Sequence, residues 1–76
     1  MNTPTRQEVT AKYHISSDDV DHMAAAWYTG DLDDPLEYVS KSIKTASKEE
    51  RHILEEAVKK RTAQLRRFFY TTFQPD

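Results

Sequence analysis

Apolar positions recur along this chain at helical intervals. Val9 and Tyr13 lie one turn apart, and Val20, Met23, Ala24 and Trp27 follow the i, i+3, i+4, i+7 rule of an amphipathic helix. Leu36, Val39 and Ile43 share a third face. Leu54, Val58, Leu65, Phe68 and Phe69 fall within one stripe of a fourth segment, flanked by Ile53 and Ala57. Start and stop signals bound each segment. Thr5-Arg6-Gln7-Glu8 fits a capping box, in which the Thr oxygen accepts from the backbone three residues on and Glu8 reaches back. This short first helix should end near His14. Ser16 or Ser17 caps the next, with Asp18 and Asp19 in its positively polarised first turn, and Thr29-Gly30 stops it. Asp34 is a natural N-cap with Pro35 at the first helical position. Ser47-Lys48-Glu49-Glu50 is a second capping box. From it the last helix should run from about Lys48 to near Thr71, with Thr71-Thr72 and Pro75 marking its end. The expected fold is one all-α domain over residues 1–76, a small bundle of three main helices plus a short N-terminal helix.

Composition narrows this further. At 76 residues the chain is near the lower limit for a domain that folds on its core alone, and with no cysteine it has neither disulfides nor thiolate metal sites to help. A helical bundle, completed if needed by dimerisation or a partner, suits this size. The longest apolar run, Met23 to Tyr28, is too short to span a bilayer. The opening "MNTPTRQEVT" has neither the basic start nor the apolar stretch of a signal peptide, so a soluble cytoplasmic protein is expected.

Charge changes the picture more. Between Tyr13 and Ser40 stand seven acids (Asp18, Asp19, Asp21, Asp31, Asp33, Asp34 and Glu37) and no Lys or Arg. Between Ala57 and Phe73 stand five basic residues (Lys59, Lys60, Arg61, Arg66 and Arg67) and no acid. Such a dipolar chain can pair its halves internally, associate into a homodimer, or steer a charged partner. The seven acids are the candidate protein-binding surface. The alternative is a basic face of Lys59, Lys60, Arg66 and Arg67 with Tyr70, which projects away from the apolar stripe. Phe68 and Phe69 are expected to pack in the core, and Phe73 lies beyond the regular helix. Arg61 falls inside the apolar stripe and must reach water or a carboxylate, for which Glu37 or an acid of the 31–34 loop is the expected partner; alternatively it meets a partner's acid.

Catalytic chemistry is not written in the chain. It has no Cys, no glycine-rich phosphate loop, no G-x-S-x-G and no H-E-x-x-H. Asp18 and His22 sit one turn apart, but two ligands do not make a metal site. No enzyme activity, cofactor or metal is expected.

Two segments resemble known patterns. Residues 6–26, "RQEVTAKYHISSDDVDHMAAA", resemble a helix-turn-helix element, with Val9, Tyr13, Ile15, Val20 and Met23 at the spacing that locks its two helices. Members of that class carry a small residue where Thr10 stands and Gly where His14 stands. Their recognition helix would present Ser17, Asp18, Asp21 and His22 to the DNA groove, where acids repel phosphates. Residues 34–65, "DPLEYV" followed by "SKEERHILEEAVKKRTAQL", resemble the Hha/YmoA family, small helical proteins that bind the nucleoid-structuring protein H-NS. The matching positions include Asp34, Leu36, Glu37, Val39, Ser47, Glu50, Arg61 and Leu65. That resemblance implies a regulatory protein-binder with Asp34 and Glu37 among its partner-contacting acids.

The function expected from all this is a small non-enzymatic regulatory adaptor or inhibitor that acts by binding another protein. Its size and acidic surface suit a phage- or plasmid-encoded inhibitor that occupies a host nucleic-acid-handling machine by charge mimicry. The alternative is a nucleic-acid-binding transcriptional regulator using the helix-turn-helix element or the basic face of the last helix.

Overall fold

The computed structural model describes the backbone of residues 3–73 and the side chains of residues 3–67. The described residues are helical and contain no strand: α1 (Arg6–Lys12), α2 (Ser17–Tyr28), a single 3-10 turn (Glu37–Val39) and α3 (Lys48–Phe73).

All three helices begin with a complete capping box. In α1 the Glu8 N–H donates to Thr5 Oγ1 at 3.1 Å while the Thr5 N–H donates to Glu8 Oε1 at 2.9 Å. Ser16, rather than Ser17, caps α2 through the same reciprocal pair with Asp19, at 3.1 and 3.0 Å. Ser47 and Glu50 repeat it for α3, at 3.1 and 2.9 Å.

The first two helices also end alike, with a residue in the left-handed region. His14 has φ 56° after α1 and Gly30 has φ 81° after α2. Behind each, the paired hydrogen bonds of a Schellman motif close the helix: Ile15 N–H to the Thr10 carbonyl at 2.8 Å and His14 N–H to Ala11 at 3.2 Å, then Asp31 N–H to Ala26 at 2.9 Å and Gly30 N–H to Trp27 at 3.2 Å. The tight turn after α1 carries Ile15 straight back into the core, where it is buried.

The third segment corrects the sequence expectation. Residues 34–45 form no regular α-helix; they make the 3-10 turn and a chain of tight turns. Asp34 acts as a local cap, its Oδ1 accepting from the Leu36 N–H at 2.8 Å, and Pro35 is buried behind it. Thereafter Val39 donates to Leu36, Ser42 to Val39 and Ala46 to Ile43, three residues back in each case. Two features oppose an α-helix here. Ser40, Ser42 and Thr45 are weak helix formers beside β-branched Val39 and Ile43. Arg51 from α3 also takes the carbonyl of Ile43 (Nη2, 3.2 Å) and approaches that of Ala46 (Nε, 3.4 Å), satisfying acceptors that a helix would otherwise use. The apolar triplet still points inward, because a spacing of three and four positions buries one side of either kind of turn.

Both α1 and α2 make their main contacts with α3. Val9, Tyr13, Ile15, Met23, Ala24, Leu36, Val39, Ile43, Leu54 and Val58 form one core, with Val20, Trp27, Ala46, Ile53 and Leu65 packed at its edge. Every buried residue of that core is apolar or aromatic. At 1.5 Å per residue α3 is about 39 Å long, so it accounts for most of the 49 Å long axis of the molecule. Its helical backbone continues through Thr71-Thr72 to Phe73. The side chains of Phe68, Phe69, Tyr70 and Phe73, and Pro75 altogether, lie outside the described residues. No described helix is long and apolar enough to cross a membrane.

A network around Glu50 ties α1 to the start of α3. Lys12 Nζ donates to Glu50 Oε2 at 2.8 Å, and the Tyr13 hydroxyl and the Ser47 N–H donate to Oε1 at 2.7 and 2.9 Å. The Lys12 bond, the Ser47 N–H and the Tyr13 hydroxyl, in that order, push the Glu50 carboxyl down to about 2. The same carboxylate raises the Lys12 ammonium and the Tyr13 phenol above their ordinary values.

Candidate protein-contact face

The seven candidate acids divide once their partners are known. Asp19 is committed to the cap of α2, and Asp34 holds the turn at Leu36. Asp31 accepts from the Thr29 hydroxyl at 2.9 Å. Asp21 pairs with Arg61, Oδ1 to Nε at 2.7 Å, with both side chains nearly half exposed. That pair corrects another expectation: the partner of Arg61 comes from α2, not from Glu37 or the 31–34 loop. A guanidinium leaving the apolar stripe next to α2 meets the nearest carboxylate there, and its Nη1 also donates to Gln64 Oε1 at 3.0 Å. Asp18, Asp33 and Glu37 remain, all exposed and with no ion pair or side-chain hydrogen bond among the described residues.

Near two of these in sequence is an aromatic contact that the pattern of acids did not reveal. The Tyr38 ring lies against the His22 imidazole, centroids 4.5 Å apart and planes tilted by 42°. His22 is one turn along α2 from Asp18, and Tyr38 follows Glu37 directly, so the contact brings the first half of α2 and the 33–38 segment onto one side of the molecule. Tyr38 nonetheless remains 54% exposed, the most exposed of the described large hydrophobic side chains, with Tyr28 at 42%. A signal was present in the sequence: Tyr38 falls between Leu36 and Val39, off the buried face they share, so it had to point outward.

The alternative basic face is also exposed. Lys59, Lys60, Arg66 and Arg67 all reach solvent along α3, whereas the Tyr70 side chain is outside the described residues. His14, the position where the helix-turn-helix class carries Gly, has φ 56° and closes α1 as Gly30 closes α2. His22, considered as a metal ligand with Asp18, has its ring against Tyr38, and no group of three or more His, Asp or Glu among the described residues could hold an ion.

Comparison with protein-family models, with curated proteins and with solved structures returns no match for this chain.

Proposed function

We propose that this protein is a small non-enzymatic adaptor or inhibitor that acts by binding another protein through the face centred on Tyr38. One observation carries the reading. A tyrosine more than half exposed lies against His22, with Glu37 next to it in sequence and Asp18 one helical turn before His22; these acids and the exposed Asp33 have no cation of their own among the described residues. Contact surfaces take most of their affinity from a few aromatic or arginine anchors, and Tyr offers large area with little entropy to lose. Uncompensated charge around such an anchor selects the partner and speeds encounter. The fitting partner carries a basic patch, such as the nucleic-acid-binding surface of a host protein, which the acids would occupy by charge mimicry. The small-bundle architecture, with α1 and α2 laid on α3, serves as the rigid support. Within the Hha/YmoA resemblance, Glu37 is the acid left free for a partner, because Asp34 is committed to its turn.

The test is a binding assay on partners recovered by affinity capture after nuclease treatment. Tyr38→Ala should weaken the interaction at least about tenfold, and reversal of Asp18, Asp33 and Glu37 to Lys should abolish it at low salt. Unchanged binding in both variants would remove this face from the account.

A nucleic-acid reading is supported by the left-handed turn at His14 and by the exposed Lys59, Lys60, Arg66 and Arg67. Against it, the segment that would enter the groove presents Asp18 and the Arg61-paired Asp21. Arg66→Glu with Arg67→Glu separates the two readings, since it should abolish nucleic-acid binding and spare the Tyr38 face.

A further inference from the structure

A second recess lies between the α1–α2 corner and α3. It is a half-open cleft of about 440 Å³. Ile15, Val20 and Ala57 form its apolar floor, and Arg6, Lys60 and Arg61 stand at its rim. A shallower hollow of about 580 Å³ continues it along α3, sharing Arg6, Ala57 and Lys60 and adding Ile53 and Lys59. Two carboxylates line this groove, and each already has a neighbour of opposite tendency: Asp21 bonds Arg61, and Glu56 lies 3.7 Å from His52. Arg6, Lys59 and Lys60 are exposed and have no ion pair among the described residues.

We propose that this groove is a second docking site, which takes an extended acidic peptide segment with an aliphatic side chain seated on the Val20–Ala57 floor. Charge decides the sign of the occupant: the four cations Arg6, Lys59, Lys60 and Arg61 outnumber the two carboxylates Asp21 and Glu56, and Asp21 is already paired with Arg61. The floor decides its class. Among the described residues no tyrosine, phenylalanine or tryptophan lines either hollow to offer nucleobases a stacking platform, whereas a Leu or Ile side chain finds apolar contact. The groove follows α3 from His52 to Gln64, a rise of about 18 Å, which an extended strand covers with about five or six residues at roughly 3.3 Å each. The protein then has two docking faces of opposite preference, one acidic around Tyr38 and one basic between α1 and α3, and can bridge two partners. This inference does not rest on the Tyr38 face being used.

Fluorescence anisotropy on the full chain tests it, with a fluorescein-labelled peptide ELEELE as probe, and QLQQLQ and a labelled oligo-dT strand as comparisons. Saturable ELEELE binding is expected, with Kd on the order of 10–100 µM at low salt. Arg6→Glu with Lys60→Glu should weaken it at least about tenfold. Gln7→Trp, an exposed position on the cleft wall, should weaken it by filling the recess, while Tyr38→Ala should leave it unchanged. Circular dichroism checks that each variant is folded. Four results would overturn the proposal: no saturation of ELEELE up to about 1 mM, equal binding of QLQQLQ, affinity unaltered by the double charge reversal, or tighter binding of oligo-dT through Arg6 and Lys60. Self-association abolished by Lys60→Glu would likewise overturn it, by assigning the groove to a second copy of this chain.

Discussion

Truncating Ile43 asks whether the irregular segment between α2 and α3 is part of the core or merely lies across it. Ile43 is 0% exposed although it sits among tight turns rather than in a helix. Ile43→Ala removes three carbons, worth about 2.4 kcal/mol at roughly 0.8 kcal/mol per buried methylene. A residual cavity raises the cost, because the turns are fixed by Arg51 and cannot collapse freely, so the total should be about 3–4 kcal/mol. Against a stability of roughly 4–11 kcal/mol for a domain of this length, that is a large fraction. Ile43→Val should cost only about 1 kcal/mol. Urea denaturation followed by the fluorescence of Trp27, the single tryptophan and packed at the core edge, measures both. Lys44→Ala, at an exposed neighbour, is the control and should change stability by less than about 0.5 kcal/mol. An Ile43→Ala cost below about 1 kcal/mol would refute the reasoning. The segment would then contribute little to the core, and the position of Tyr38 would lose its support.

Other consequences can be checked on the same variants and instruments. The Glu50 carboxyl is held at about 2 against an ordinary 4.5, so its contribution is fully present above pH 4.5 and is lost as pH falls towards 2. Glu50→Gln should therefore be destabilised at neutral pH and show a flatter melting-temperature profile across that window; an unchanged profile would contradict the Lys12–Tyr13–Glu50 network. His14→Gly should stabilise the protein by up to about 1 kcal/mol by relieving a left-handed backbone. Gly30→Ala should destabilise it by about 1 kcal/mol even though an added Cβ meets nothing within 4 Å, which isolates backbone strain from packing. Arg61→Met should alter stability by no more than about 1 kcal/mol, because its half-exposed pair with Asp21 is well solvated. A larger loss in thermal melts would mean that the pair is more enclosed than its exposure indicates.

Helix boundaries were the most legible feature of the chain, since they rest on local chemistry. The two capping boxes, the serine cap of α2 and the Gly30 stop each depend on residues at most four positions apart, and all stand in the structure, where the α2 cap proves to be a third box between Ser16 and Asp19. The segment at 34–45 was misread because a spacing of three and four suits a 3-10 turn as well as an α-helix. The weak helix formers Ser40, Ser42 and Thr45 were a local sign against the helix, but the second feature, Arg51 taking the Ile43 carbonyl, comes from another element. Arg61 was seen to need a partner, but which acid stood nearest depended on how α2 crosses α3, information that no local window holds. The acidic surface was legible as a charge run and misleading as a list. A cap, a hydroxyl, a turn and an ion pair occupy Asp19, Asp31, Asp34 and Asp21, and the His22–Tyr38 contact between α2 and the 3-10 turn was not legible in the run of acids.

The most direct test of the central claim is nuclease-treated affinity capture from a host lysate, comparing the native chain with Tyr38→Ala, with the Asp18, Asp33 and Glu37 to Lys variant, and with Arg66→Glu plus Arg67→Glu. The account predicts a stoichiometric protein partner that is retained by the arginine variant, lost from the other two, and released at high salt, where exposed charges are screened. Recovery of nucleic acid that nuclease destroys, or a partner lost only when Arg66 and Arg67 are reversed, would contradict it.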